Sequence, residues 1–182
     1  TTDLRYIEEF GITFAATGRD IYAFFEEEES IEPIRFSGVN ARVLRQTSSG
    51  DLITHDGRTV VKIEVGSSDT IELFDATSEH ENRKIEDIFV DTDDSIWVVA
   101  GADLFHWNEG ELEHFNYYID PKRFPSRSNM LVKVFRDLQG DLYVVASDEG
   151  HLDHQGVYLD GGLLKLGEFG FERVKTREKP NW

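Results

Sequence analysis

The densest set of metal-ligating side chain types lies in Asp148-Glu149-Gly150-His151-Leu152-Asp153-His154. Two imidazoles three residues apart, with carboxylates before and between them, are the donors that hold zinc or a similar ion when a loop folds back on itself. His151, Asp153 and His154 are the candidate metal ligands on this reading. A polar surface loop accounts for the same residues without an ion. The second candidate is the stretch from Asn116 to Asn129, which carries Tyr117, Tyr118, Lys122, Arg123, Phe124 and Arg127. Aromatic faces stack on sugar rings, and guanidinium groups grip anions in a fixed fork. Tyr117, Tyr118, Arg123, Arg127, His151 and His154 therefore form the candidate ligand-binding set. In the competing reading the aromatics pack this loop against a strand edge, and Pro121 and Pro125 stiffen it.

The remaining chemistry-bearing residues have simpler explanations. Asp91-Thr92-Asp93-Asp94 opens like a calcium loop, but the sixth position is Ile96 and the twelfth Ala102, where that motif needs Gly and Glu. A solvated turn fits these aspartates better. Glu26-Glu27-Glu28-Glu29 is a run of mutually repelling carboxylates, suited to an exposed hairpin tip or to a basic partner. His55 falls in a turn, and His106 and His114 fall on strands beside Trp107 and Phe115, as rim or core-edge residues. Carboxylate pairs can be drawn at will from 36 acidic residues, so they carry no weight as a hydrolase signature. No Gly-x-Ser-x-Gly, P-loop or His-Glu-x-x-His motif occurs. No catalytic residue is assigned, and no cofactor is implied.

The composition narrows the partners. The 182 residues include 36 acidic and 19 basic side chains, a formal net charge of −17. Nucleic-acid binding and docking on anionic membrane surfaces both call for the opposite sign. No apolar run approaches the ~20 residues of a spanning helix, so membrane insertion is not expected. There is no cysteine, which excludes disulfides and thiol chemistry. Residues 121–182 carry nine acids and ten bases, so the first two thirds hold the whole negative excess. One domain over 1–182 with a polarised surface is the plainest reading of that asymmetry. The chain opens Thr1-Thr2-Asp3 without Met or a signal-like apolar segment, as if processed or cut from something longer.

These side chains must be positioned by β-structure. Short alternating runs such as Ile12-Thr13-Phe14, Val61-Lys62-Ile63-Glu64-Val65 and Leu142-Tyr143-Val144-Val145 read as strands. Between such runs sit Ser49-Gly50-Asp51, Asp56-Gly57, Asp93-Asp94-Ser95, Asn108-Glu109-Gly110 and Gln139-Gly140-Asp141, which are turn formers. The chain also repeats itself. Ile88-Phe89-Val90-Asp91 through Ala100 matches Val134-Phe135-Arg136-Asp137 through Ala146, and Leu44 to Ile53 is a weaker copy. Anchors at Leu52, Ile96 and Leu142 are spaced by 44 and 46 residues, with a degenerate copy a further 40 residues upstream, around Gly11 to Ala15. Each unit continues with two more strands, such as Asp103 to Trp107 and Leu112 to Phe115. A four-stranded meander of roughly 40 to 50 residues is the dimension of a propeller blade. The expectation is an all-β propeller or propeller segment with blades over about 4–37, 38–76, 82–117 and 128–176. Asp148 to Asp160 is then an insertion between the second and third strands of the last unit.

The motif has a physical basis. Asp91 and Asp137 end a strand, where a short carboxylate can accept backbone N–H bonds of the next turn. Gly50 and Gly140 supply a positive φ in that turn. Trp97 and Tyr143 are large aromatics suited to the wedge between blades.

Asp137-Leu138-Gln139-Gly140-Asp141-Leu142-Tyr143-Val144-Val145, followed by Gly162-Leu163-Leu164-Lys165-Leu166, resembles the two-component regulator propeller repeat. The copy from Ile88 to Trp107 keeps the pattern with Asp94 where Gly is usual, and the Leu44 copy has Thr47 for Asp. That resemblance implies a propeller of seven or eight blades in the periplasmic or extracellular sensor region of a bacterial regulator of polysaccharide use. It implies a non-catalytic module that binds a carbohydrate ligand or a protein partner. Two other functions stay open: a hydrolase or lyase on a propeller scaffold, and an acidic inhibitor or assembly subunit that binds a basic partner. Four blades leave open faces unless the ring is small and closed, is completed by a homodimer, or continues in a longer chain. Trp182 would begin or seal the next blade contact in the last case.

Overall fold

The computed structural model describes residues 3–8, 11–17, 20–26, 34–36, 43–64, 70–76, 84–101, 103–116, 131–146, 162–168 and 170–174. They form sixteen strands in four antiparallel sheets of four, with no α-helix among the described residues. Sheet 1 contains β1 (Asp3–Ile7), β2 (Ile12–Ala16), β3 (Ile21–Phe25) and β4 (Ile34–Phe36). Sheet 2 contains β5 (Arg45–Gln46), β6 (Leu52–His55), β7 (Thr59–Ile63) and β8 (Thr70–Asp75). Sheet 3 contains β9 (Ile85–Val90), β10 (Ile96–Ala100), β11 (Asp103–Asn108) and β12 (Glu111–Asn116). Sheet 4 contains β13 (Leu131–Arg136), β14 (Leu142–Ala146), β15 (Gly162–Gly167) and β16 (Gly170–Arg173). Every sheet is a meander in chain order. The first strands of neighbouring sheets lie together, β5 on β9 and β9 on β13, while the last strands have no comparable contact. The sheets thus fan out from their first strands as blades of a β-propeller sector.

The repeat is visible bond by bond in the first turn of sheets 2, 3 and 4. Thr47, Asp91 and Asp137 each donate N–H to the carbonyl four residues on, at 2.9, 2.9 and 3.0 Å. The carbonyls of Thr47, Asp91 and Asp137 in turn accept the N–H three residues on, from Gly50, Asp94 and Gly140. The third turn position has positive φ throughout: 89° at Gly50, 64° at Asp94 and 86° at Gly140. Asp91 Oδ1 accepts Thr92 N–H at 2.9 Å, and Asp137 Oδ1 accepts those of Gln139 and Asp141 at 2.9 and 3.0 Å. A Cβ at Gly140 would meet nothing within 4 Å, so Gly140→Ala is resisted by backbone conformation alone. That substitution should lower stability by about 1 kcal/mol in urea denaturation. An unchanged midpoint would mean that the turn relaxes to negative φ.

Three apolar clusters lie between the sheets, and the two middle sheets use both faces. Ile12, Phe14, Ala16 and Ile21 pack with Leu44, Leu52 and Ile63. On the other face of sheet 2, Ile53 and Val60 meet Ile88, Ile96, Val98 and Phe105. On the other face of sheet 3, Trp97, Val99 and Leu104 meet Leu131, Val134, Leu142 and Leu164. Trp97 lies in the cluster between sheets 3 and 4. Tyr143 occupies the same repeat position on sheet 4, half-buried and stacked on Phe135 with ring centroids 5.7 Å apart. The first unit corrects the register of the degenerate copy. Ile12 faces the following sheet, whereas Leu52, Ile96 and Leu142 face the preceding one. A one-residue slip turns every side chain to the opposite face of a strand, so Thr13 is the position equivalent to those anchors.

Candidate functional site

One end of sheets 3 and 4 gathers the attachment points of the two longest connections in this half of the chain. Asn116 pairs with Asp103, and Asp103 with Ala100. Leu131 donates its N–H to the Gly101 carbonyl at 2.7 Å, then pairs with Ala146, which pairs with Gly162. The connection over 117–130 leaves from Asn116 and returns at Leu131, and that over 147–161 leaves from Ala146 and returns at Gly162. All four attachment points thus stand in one row of hydrogen-bonded strand ends. Tyr117, Tyr118, Arg123, Arg127, His151, Asp153 and His154 are on these two connections and lie outside the described residues. Glu27, Glu28, Glu29 and Trp182 also lie outside them. Glu26 is described, exposed, and accepts the Tyr6 hydroxyl at 2.9 Å.

Asp103 belongs to this row and has no exposed surface. Its Oδ1 is 3.0 Å from His114 Nε2, and His114 stacks on Phe105 with centroids 4.6 Å apart. This carboxylate–imidazole pair joins β11 to β12 at the strand ends.

A second polar group links the first strands of sheets 1 to 3. Asp3 Oδ2 accepts Leu44 N–H at 3.0 Å and lies 3.5 Å from Arg45 Nη1. Arg45 Nη2 reaches Asp87 Oδ1 at 3.1 Å, and Asp87 Oδ2 accepts Val134 N–H at 3.2 Å. Asp3 and Asp87 thus repeat one device, a carboxylate that receives an N–H on, or just before, the next sheet's first strand. Burial pushes the Asp87 carboxyl above the usual aspartate range, against the opposing effects of the Val134 N–H, Arg45 and Lys133. An uncompensated charge in such a place is costly, which makes Arg45 structural.

The third group sits between sheets 3 and 4. Trp97 stacks on His106 with centroids 4.0 Å apart and planes 17° from parallel, and leans on Phe115 at 5.9 Å. Arg136 covers the Trp97 ring at 5.8 Å and forms an ion pair with Asp91. Asp91 Oδ2 also accepts the indole N–H at 3.3 Å. Asp93 and Asp94 face other partners: Asp93 Oδ1 accepts Ser95 N–H at 3.1 Å, and Asp94 Oδ1 accepts Ser48 N–H at 2.6 Å. The aspartate run therefore does not converge on a cation position, and each carboxylate fastens a turn or a neighbouring sheet. No group of three or more His, Asp or Glu arranged for a metal ion occurs among the described residues.

His106 and His114 occupy the core-edge places expected of them, each stacked on an aromatic ring. His55 departs from expectation. It closes β6 with only 2% of its surface exposed, and its Nδ1 accepts Gly57 N–H at 3.1 Å. The residues that sequence reasoning missed are Asp3, Arg45, Asp87 and Arg136. Their available signal was a charge placed on the covered face of a strand, as in Ile85-Glu86-Asp87-Ile88.

Neither a protein-family model nor the sequence of a curated protein matches the chain. Solved structures do match. Virginiamycin B lyase from Staphylococcus aureus superposes with a TM-score of 0.65 at 10% identity, over 96% of this chain and 55% of that one. An extracellular domain described as that of a hybrid two-component system of B. thetaiotaomicron gives 0.63 at 12%, over 97% and 24%. YCF48 bound to D1 peptide gives 0.57 at 13%, over 87% and 47%. These matches establish the β-propeller fold, in agreement with the resemblance to two-component regulator propeller repeats. The chain spans about half the length of the lyase, which heads these matches. No helix among the described residues is long and apolar enough to cross a membrane.

Proposed function

We propose that this chain is a non-catalytic binding sector of a β-propeller that takes a carbohydrate or a protein partner at the end of sheets 3 and 4. The observation that carries this reading is the single row of strand ends from Asn116 to Gly162, to which both connections bearing the candidate binding residues attach. Rigid sheets that present variable loops at one end are the usual way a propeller-like scaffold acquires a ligand. The extracellular neighbour from a hybrid two-component system supports a role in the sensing part of a larger bacterial regulator, outside the cytoplasm. YCF48 in its peptide complex supports a protein ligand as the second option. The described histidines and buried aspartates are held in turn, stacking and inter-sheet contacts, which favours binding over hydrolase or lyase chemistry.

Titration of a panel of oligosaccharides and of a peptide library tests the reading. A ligand found this way should lose at least about tenfold in affinity on Tyr117→Ala/Tyr118→Ala or His151→Ala/His154→Ala, with the unfolding midpoint unchanged. Retention of full affinity by both double variants would remove the site from this end. Metal analysis of the purified protein separates a direct role for His151 and His154 from metal ligation by them.

A further inference from the structure

Among the described residues the two end sheets each keep one uncovered face, and these faces match the ones already joined between sheets. On sheet 4 the uncovered face carries Lys133, Phe135, Tyr143, Val145 and Lys165, in register with Asp87, Phe89, Trp97, Val99 and His106 of sheet 3. In sheet 3 that face is covered by sheet 4. In sheet 4 nothing covers it among the described residues, and Phe135 is 37% exposed. On sheet 1 the uncovered face carries Leu4 and Tyr6, 60% and 52% exposed, where sheet 3 has the covered Ile88 and Val90. Three of the six large exposed apolar side chains among the described residues are therefore on these two faces.

The charges show what fits there. Along the first strands, Asp3, Arg45, Asp87 and Lys133 form a series that alternates in sign from sheet to sheet. Asp3 and Arg45 are 3.5 Å apart, Arg45 and Asp87 3.1 Å, and Asp87 experiences the charge of Lys133. The series ends in an acid on sheet 1 and a base on sheet 4. We propose that a second copy of this chain completes the ring, with sheet 4 of each copy seated on sheet 1 of the other. Lys133 then stands beside the partner's Asp3, and the alternation closes on itself without a break. Two head-to-tail contacts related by one twofold axis give a closed assembly of eight blades, within the range propellers adopt. The chain matches 55% of the lyase and 47% of YCF48, so about one more chain's worth of blades is what a ring requires. This inference does not depend on the ligand-binding proposal.

Sedimentation velocity and light scattering on the 182-residue chain test it. The expected mass is twice 20.9 kDa. Phe135→Asp and Leu4→Asp, both at exposed positions, should each halve that mass while circular dichroism stays native. Lys133→Asp, at an exposed position, should also be monomeric, because each contact then sets two acids against each other. A wild-type mass of one chain, as when a longer polypeptide supplies the further blades, overturns the proposal. So does an open series of oligomers, or a dimer that survives both Phe135→Asp and Leu4→Asp.

Discussion

Trp97→Ala is expected to remove about 4 kcal/mol of folding stability, the loss typical of a buried aromatic truncated in a packed core. Only 5% of Trp97 is exposed, and four groups depend on it: the His106 ring, the Phe115 ring, the Arg136 guanidinium and the Asp91 carboxylate. The alanine leaves a cavity between two sheets, and neither side can collapse into it without disturbing the Asp91–Arg136 pair. A domain of this size is stable by about 5–15 kcal/mol, so the variant should lie close to unfolding at ambient temperature. Urea denaturation reads the effect as a shifted midpoint with an unchanged slope. Leu138→Ala is the control, because Leu138 is fully exposed at its turn and should change stability by less than about 0.5 kcal/mol. Trp97→Ala combined with Arg136→Met should cost less than the sum of the two, since each removes a contact of the other. Additive losses would mean that the tryptophan and the arginine act separately.

What the sequence revealed depended on whether a structural demand leaves a local trace. Turn chemistry does. The turns of Thr47, Asp91 and Asp137 were legible because each needs a short acceptor and a residue that tolerates positive φ, and Asp94 shows that aspartate meets the second need where glycine is absent. Strand alternation was legible for the same reason, and with it the four-sheet architecture. Which face of a strand turns toward which neighbour leaves no such trace. In Ile12-Thr13-Phe14-Ala15-Ala16 a small residue on the back face makes both registers plausible by pattern, and packing against Leu44 and Leu52 decides between them. The charges that join the sheets were hidden too. Asp87 and Arg45 leave no local trace of their pairing because they are 42 residues apart in sequence. Of the candidate site, the sequence marked the residues, and the strand pairing added the fact that both connections bearing them attach to one end.

The second large effect concerns that hidden pair. Arg45→Met leaves the Asp87 carboxylate buried with its main charge partner gone, and removing one member of such a pair costs about 3–5 kcal/mol. The lower end applies here, because 24% of the Arg45 side chain is exposed and water screens part of the attraction. The pH dependence identifies the cause. Asp87 already titrates above the usual aspartate range because burial disfavours its charged form, and Arg45 opposes that rise. Loss of the arginine raises the carboxyl further, so the native state takes up a proton at a pH where the unfolded chain does not. A carboxylate raised in this way destabilises the fold fully above its folded pKa, and the deficit disappears as pH falls toward the unfolded value of about 3.9. The gap between wild type and Arg45→Met should therefore be widest at neutral pH and narrow steadily on acidification. Adding Asp87→Asn should flatten that trend, because the amide carries no charge to bury. A gap that stays constant with pH, or that survives Asp87→Asn unchanged, would place the role of Arg45 in its contacts with Asp3 and the Leu44 carbonyl instead.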